Sequence, residues 1–554
     1  MRSLDLPLPV LGFLAWAAVG LLACDGCRPA GPSAATGPTA PTSVDAGPPT
    51  ARLYFVTDLA GALEPCGCTK DQLGGLDKFG AWARRGGEGE DAGRVPSLVA
   101  AAGPLFFMDE KLAPDHADQD RAKAETIARV LRRLDLAAFA PGLNDWDNGR
   151  AGLLQLANET GGRAIGNGAD GAPFVSSVVR DIGGLKIGFV GYAPPGPGAP
   201  DAPGPAETPQ QAVLRGAGEA KRRGANVLVA LAAVGRGEAK RIADAVPELT
   251  AVVVGSSKAD GDANTTSPSA ERVGDVVIVQ AANHLQSVAV LDLHVRDTVQ
   301  PGRLVKFADA TGLELAERRE DLTRRIDDLH QKIAAWSRDK TMNAADVDAR
   351  RRDLAALESE RDTLDRRPPP PAGSFFRYFV QEVRDSLGKD PVIEGDMASY
   401  YKAVDEHNRT ALADRMPPPR VADQPGFVGI DACTNCHPAA RQFWNGTSHA
   451  HAYATLATQF KEFNLDCVGC HVTGYEKPGG SSVTHVDGLQ NVQCEDCHGP
   501  GSMHVKNPTE KTRIVASPLP SVCISCHHPP HVEAFDVAVA LRGVLGAGHG
   551  APLK

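Results

Sequence analysis

The chain has 554 residues, of which 42% are hydrophobic and 23% are charged, and its formal net charge is -10 at pH 7. This length exceeds what one hydrophobic core ordinarily supports, so we expect two or three domains. The acidic balance argues against nucleic acid as a partner, because binding to phosphate groups requires a basic surface.

The N-terminus has the pattern of an export signal. An apolar run from Val10 to Ala23 is too short and too poorly flanked for a membrane-spanning helix. The run ends in LLAC, which resembles the bacterial lipobox and implies lipidation of Cys24. We therefore predict a lipoprotein signal peptide over 1–24 and a lipid-anchored protein on the periplasmic or outer-surface face of a bacterial membrane. Plain secretion and an uncleaved anchor are the alternatives.

Residues 25–50 are rich in Pro, Ala, Gly, Ser and Thr and predict a flexible linker. Strand-like and helix-like segments then alternate from Ala51 to Asp309. The β-rich segments include SLVAAA, ANVLVALAAVG and DVVIVQAA, while DRAKAETIARVLRRLD and GEAKRIADAVP have helical spacing. This order predicts an α/β domain with buried strands over 51–309.

The order of turns in this domain resembles that of the calcineurin-like metallophosphatases, in particular the 5'-nucleotidases. The resemblance implies a metallophosphatase-like sandwich, in which charged oxygens and imidazoles at strand ends hold two metal ions. This chain keeps Asp58 and Asn144 of that pattern. Other residue types stand where the family has its further ligands, namely Ala60, Pro104, Asp145, Ala233, Ser256 and Lys258. The resemblance therefore implies the fold together with the loss of phosphoesterase activity.

Cys66 and Cys68 follow the first predicted strand and enclose a single glycine, which permits a tight turn between them. One interpretation is a redox-active thiol pair that exchanges electrons with another centre. The other, which we prefer, is a static local disulfide in an exported protein.

Residues 312–367 have apolar side chains at a spacing of three and four, with charged residues between them. This pattern predicts a helical hairpin (coiled coil), and the sequence RRPPPPAG ends its second helix. A connecting segment over 374–420 follows, and its part from Ser374 to Asn408 is a candidate to pack back on the α/β domain.

Four pentapeptides with the pattern CxxCH follow residue 430: CTNCH, CVGCH, CEDCH and CISCH. Two thiols three positions apart add to the two vinyl groups of one haem, and the adjacent His becomes the proximal iron ligand. Structural zinc is the alternative for such cysteine pairs, but zinc does not require a His at the fifth position every time. We therefore predict four covalently bound c-type haems. The attaching cysteines are Cys433, Cys436, Cys467, Cys470, Cys494, Cys497, Cys523 and Cys526, and the proximal ligands are His437, His471, His498 and His527.

The sequence around these motifs is polar and has little continuous apolar periodicity, so haem would supply most of its interior. It predicts a mainly α, haem-packed multihaem cytochrome c domain over 427–554. The segments GIDACTNCHPAARQFWNGTSHAHAYATL, DCVGCHVTGY and CEDCHGPGSMH resemble the tetrahaem cytochrome c-554 family, from Phe427 to about His549.

This resemblance implies the distal iron ligands. It places His449 opposite His498 and His504 opposite His437. For the haem held by His527 it implies a His from the C-terminal helix, which is His549, with His531 as the runner-up. The haem held by His471 is five-coordinate in the family.

Together these patterns predict an extracytoplasmic electron carrier that exchanges electrons with redox protein partners. The alternative is a multihaem oxidoreductase that acts on a small nitrogen or sulfur compound at the haem held by His471, because an open iron face can bind a small molecule.

Overall fold

The computed structural model describes residues 47–65, 71–87, 95–166, 174–196, 207–258, 266–338, 344–364, 372–528, 532 and 535–549. The predicted signal peptide with Cys24, nearly all of the linker, the pair Cys66 and Cys68, and His531 lie outside these residues. Within the described part of the chain, no helix is both long and apolar enough to cross a membrane.

The strands form two sheets. The first sheet has seven strands in the order β12-β13-β11-β1-β2-β3-β4, and the second has six in the order β5-β6-β7-β8-β10-β9. The strands are β1 (Ala51–Thr57), β2 (Ser97–Ala102), β3 (Leu136–Ala140), β4 (Arg163–Ala164), β5 (Ser177–Ile182), β6 (Leu185–Tyr192), β7 (Val227–Ala233), β8 (Ala251–Gly255), β9 (Glu271–Val273), β10 (Val276–Val279), β11 (Ser287–His294), β12 (Ala308–Asp309) and β13 (Phe375–Glu382).

Helices cover the outer face of each sheet. The helices up to residue 411 are α1 (Leu76–Arg84), α2 (Ala117–Arg133), α3 (Gly149–Glu159), α4 (Pro209–Arg222), α5 (Arg236–Ala245), α6 (Leu313–Trp336), α7 (Ala344–Thr363) and α8 (Pro391–Ala411).

Successive side chains of the buried strand β1 point to opposite faces of the first sheet, and this explains the order of the layers. Leu53 and Phe55 face the second sheet and pack in an apolar cluster with residues such as Ile187 and Val229. Tyr54 lies on the opposite face, in a cluster that includes side chains of α1, α2, α3 and α8. A third cluster joins the second sheet to α4 and α5. Because successive strand side chains point to opposite faces, the result is a sandwich of two sheets between two helical layers. This arrangement confirms the predicted α/β sandwich class.

The α/β unit extends beyond the predicted boundary at Asp309. Strand β13 pairs antiparallel with the whole of β11, from Ser287 opposite Glu382 to His294 opposite Phe375. Helix α8 then packs on the layer of α1 and α2 through buried residues such as Ile393 and Tyr400. The segment from 374 to 411 therefore belongs to the α/β unit, and the helical hairpin is inserted between two of its strands.

The inserted hairpin consists of α6 and α7. Ile326, Ile333, Val347 and Leu354 are buried together between the two helices. The remaining surface carries ion pairs such as Arg318 with Glu360, which in solvent contribute little to stability. Burial of the apolar stripe therefore holds the two helices together.

The C-terminal region consists of short helices and turns. One apolar cluster in it contains Leu465, Val468, Val472, Val483 and Val486. This cluster is much smaller than the two apolar clusters that pack against the first sheet of the α/β unit. The helices are α9 (Asp431–Thr434), α10 (Pro438–Trp444), α11 (Ala452–Ala457), α12 (Leu465–His471), α13 (Cys494–His498), α14 (Ser502–Lys506) and α15 (Val537–Val544), with 3-10 turns at Ser448–His451, Lys511–Arg513 and Pro520–Ser525.

Candidate functional site

The strand ends of the α/β unit bring several of the expected metal-ligand positions together. Asp58 follows β1 and is buried, and its carboxylate accepts hydrogen bonds from Ser256, which follows β8 in the other sheet. The distances are 2.7 Å to the backbone nitrogen and 3.1 Å to the hydroxyl oxygen of Ser256. Asp58 is thus held by protein groups that link the two sheets.

Asp145 is fully buried, and backbone N–H groups of two neighbouring loops donate hydrogen bonds to it. Its carboxylate accepts from the backbone nitrogens of Leu105, Phe106 and Gly142 at 2.8–3.1 Å. Two further expected ligand positions also contact protein groups: the Asn144 amide donates to the carbonyl of Met108 at 2.6 Å, and Lys258 pairs with Glu110 at 2.5 Å. In the described residues, no group of three or more His, Cys, Asp or Glu side chains is arranged to hold a metal ion.

The two buried carboxyl groups predict a pH dependence of stability. Burial raises the pKa of Asp58 to about 6 and that of Asp145 to about 7, whereas an unfolded Asp has a pKa of about 3.9. Between about pH 4 and pH 7 the folded state therefore binds more protons than the unfolded state. The free energy of unfolding consequently falls as the pH rises through this window, and this contribution to stability is lost above it.

The variant Asp58→Asn isolates this effect, because its amide still accepts from the Ser256 nitrogen and donates to the Ser256 hydroxyl oxygen. We expect it to be more stable than the wild type at pH 8, by about 1–3 kcal/mol, and to gain much less at pH 4. Urea denaturation followed by circular dichroism at the two pH values measures both differences. An equal difference at pH 4 and pH 8 would contradict the prediction.

The four CxxCH motifs lie on short helical turns of the C-terminal region. The second motif lies wholly within α12 and the third forms α13. The first runs from the end of α9 to the residue before α10, and the fourth begins within the 3-10 turn Pro520–Ser525. A spacing of three residues on a helical turn puts both cysteines of a motif on the same face. None of the eight motif cysteines is part of a disulfide, so each pair is available for attachment.

Each of three motif histidines faces a second imidazole ring. The ring centroids are 6.4 Å apart for His437 and His504, 6.2 Å for His449 and His527, and 6.4 Å for His498 and His549. An iron that binds two imidazoles lies about 2 Å from each ligating nitrogen, which places the two ring centroids about 6 Å apart. The three spacings therefore fit an iron between each pair of rings.

Two of the predicted distal pairings are exchanged in the structure. The resemblance placed His449 opposite His498 and assigned His549 to His527, but His449 faces His527 and His549 faces His498. The reason is the return of the chain after the fourth motif: the segment beyond α15 brings Gly546 and Gly548 against α10, and the adjacent His549 then faces His498 of the third motif. His504 lies opposite His437, the position that the resemblance implies.

Hydrogen bonds orient two of the proximal rings. The Nδ1 atom of His471 lies 2.6 Å from the carbonyl oxygen of Ala452, and that of His498 lies 2.7 Å from the carbonyl oxygen of Val515. A carbonyl only accepts, so Nδ1 carries the proton and Nε2 keeps its lone pair for iron.

The electrostatic surroundings favour the neutral form of three further rings. Burial lowers the pKa of His449, His527 and His549 below the ordinary value for histidine. His527 lowers that of His449 further, and His498 does the same for His549. Neutral imidazole is the form that binds a metal, so these rings are poised as ligands.

The acidic residues of the third motif hold the backbone beside the first and second motifs, a role that the sequence did not predict. Glu495 accepts hydrogen bonds from the backbone nitrogens of Val428, Gly429 and Gly501 at 2.7–3.1 Å. Asp496 accepts from the Thr473 hydroxyl and from backbone nitrogens beside it, and burial raises its pKa to about 6. The only sequence signal was the acidic pair between the two cysteines of CEDCH.

Thiols of different motifs are direct neighbours. The thiol of Cys433 in the first motif lies close to that of Cys494 in the third, and the thiol of Cys470 in the second lies close to that of Cys526 in the fourth. The attachment sites therefore lie side by side in two pairs.

The sequence of the C-terminal region matches a known family. Residues 432–499 match the family described as cytochrome c554 and c-prime. Cytochrome c-554 of Nitrosomonas europaea is 38% identical over 96 residues, an alignment that covers 14% of this chain and 40% of that protein. The chain thus spans less than half of the length of this relative. The match supports the resemblance noted in the sequence, and the family implies covalently bound c-type haem.

Two of the solved structures that are similar to this chain are a 5'-nucleotidase precursor and a calcineurin-like phosphoesterase. The 5'-nucleotidase precursor of Thermus thermophilus has a TM-score of 0.40 and 15% identity, over 76% of this chain and 68% of that chain. The calcineurin-like phosphoesterase YfkN of Bacillus subtilis has a TM-score of 0.35 and 14% identity, over 45% of this chain and 85% of that chain. Similarity at this level does not carry an activity over to this chain.

Proposed function

We propose that this protein is an extracytoplasmic, lipid-anchored tetrahaem c-type cytochrome that transfers electrons between redox protein partners. The observation that carries the proposal is the combination of four CxxCH motifs with three imidazole pairs whose rings lie 6.2–6.4 Å apart. Haem iron supplies one-electron exchange between its ferric and ferrous states, so no substrate pocket or acid–base group is required.

The chain's own residues have three roles in this proposal. The motif cysteines hold each haem covalently, and the Nδ1 hydrogen bonds of His471 and His498 fix the rings that bind iron. The side-by-side arrangement of Cys433 with Cys494, and of Cys470 with Cys526, brings two pairs of attachment sites together for electron exchange. The lipid anchor is proposed from the lipobox at Cys24 alone.

Haem content tests the proposal directly. We expect the exported protein to stain for haem on a denaturing gel and its intact mass to exceed that of the polypeptide and its lipid by four haems. The variant Cys523→Ala/Cys526→Ala provides the matched control and should lose one haem. An intact mass without added haem would end the proposal.

The oxidoreductase alternative is supported by the family resemblance, in which the haem corresponding to that of His471 is five-coordinate. Electron paramagnetic resonance of the oxidised protein separates the two functions. The alternative requires a high-spin signal from one iron, and four low-spin irons would leave it without a site.

We further propose that the α/β unit has no phosphoesterase activity. Two-metal hydrolysis needs paired cations to activate water and to stabilise the charge that develops on phosphate. Here the carboxylates of Asp58 and Asp145 accept hydrogen bonds from other groups of the protein. Lys258 places a positive charge at the same strand ends. We expect no hydrolysis of nucleotides or phosphodiesters in the presence of manganese. Hydrolysis that depends on manganese and disappears in Asp58→Ala would contradict this expectation.

A further inference from the structure

The second CxxCH motif is held by the α/β unit. Gln119 of α2 is buried, and its carbonyl oxygen accepts from the backbone nitrogen of Leu465 at 2.9 Å, at the start of α12. Its amide nitrogen donates to Asn464 at 3.3 Å, and Asn464 caps α12 by accepting from the backbone nitrogen of Asp466 at 2.9 Å. The N-terminus of the helix that carries the motif is therefore fixed by a side chain from another unit.

A second contact brings a charge to the same place. The ammonium group of Lys123, one turn along α2 from Gln119, lies 2.7 Å from the carboxylate of Asp466 and 3.6 Å from that of Asp120. Burial lowers the pKa of Lys123, but Asp466, Tyr400 and Asp120 together raise it well above its ordinary value. Lys123 is therefore a charged group enclosed at the interface.

The α/β unit also contacts the loop that precedes α12. Asn408 of α8 donates to the carbonyl of Phe463 at 2.9 Å. The ammonium group of Lys461 pairs with Glu64 and lies 4.3 Å from the ring centroid of Tyr401. These contacts add to those of α2, so the approach to Cys467 is held at several points by the α/β unit.

We propose that the α/β unit is a docking platform for the second motif, and that Lys123 acts through Asp466 as a positioning residue that keeps the reduction potential of the haem on Cys467 and Cys470 more positive. This inference rests on the proposed function. Reduction adds one electron to the haem, and a carboxylate without a partner beside it opposes that step. Asp466 directly precedes Cys467, and Lys123 neutralises its charge.

The experiment compares two variants whose effects have opposite signs. Lys123→Met removes the positive charge beside the carboxylate of Asp466, whose side chain is 35% exposed. One component of a potentiometric titration should then shift to a more negative potential. Asp466→Asn removes the negative charge next to Cys467 while Lys123 stays beside Asp120, and the same component should shift to a more positive potential. A merely structural disturbance of the interface would not reverse its sign between the two variants.

Two controls complete the comparison. Lys123→Arg keeps a positive charge beside Asp466 and should leave all components unchanged. Arg121→Met removes a charge from an exposed pair with Asp118 on the same helix and should also leave them unchanged. Haem content is measured first, since a chain without haem refutes the proposed function rather than this inference. With four haems present, the inference is overturned by any pattern other than opposite shifts of one component with both controls unchanged.

Discussion

Replacing Arg52 with Met is expected to lower the free energy of unfolding of the α/β unit by about 3–5 kcal/mol. Arg52 of β1 lies opposite Asp292 of β11 in the first sheet. Two nitrogens of its guanidinium group donate to the two carboxylate oxygens at 2.6 and 2.7 Å. The two residues are only 3% and 6% exposed, so Arg52→Met leaves a buried carboxylate without its partner.

The matched control is the double variant Arg52→Met/Asp292→Leu, which removes both charges. We expect it to recover most of the lost stability, because a buried ion pair replaced by apolar side chains often costs little. Urea denaturation followed by far-ultraviolet circular dichroism measures both variants. A loss of less than about 1 kcal/mol in Arg52→Met, the range of an exposed pair, would contradict the prediction.

Replacing His549 with Ala is expected to open one face of the haem held by His498. The two rings face each other at 6.4 Å, so in the proposed cytochrome the variant would remove the distal ligand of that iron. The iron should change from low spin to high spin and, when reduced, bind carbon monoxide. Electron paramagnetic resonance and the visible spectrum measure the change. His449→Ala should have the corresponding effect on the haem held by His527.

A chain without the fourth haem distinguishes the observed pairing from the exchanged one. In the background Cys523→Ala/Cys526→Ala, His549→Ala should still open one haem, whereas His449→Ala should change no iron. The reverse result would restore the pairing implied by the family resemblance, and two unaffected spectra would show that neither ring binds iron.

Some features can be predicted from the sequence because they depend on a few consecutive residues. The attachment of haem depends on five consecutive residues, so CTNCH or CVGCH can be recognised without any knowledge of the fold. Buried strands such as β7 and β8 consist of continuous runs of apolar residues, which also makes them recognisable from short segments. The boundary at Asp309 was less predictable, because β13 joins the first sheet only after the inserted hairpin.

Covalent c-type haem and the sandwich class of the larger unit could be predicted from the sequence, since each depends on neighbouring residues or on regular periodicity. The facing pairs of histidines, and the contact of Lys123 with Asp466 across 343 positions of the chain, are seen in the tertiary structure alone. These contacts form because turns and short helices bring segments that are distant in the sequence next to each other. The path of the chain is set by packing between distant segments, for which one sequence carries no local signal.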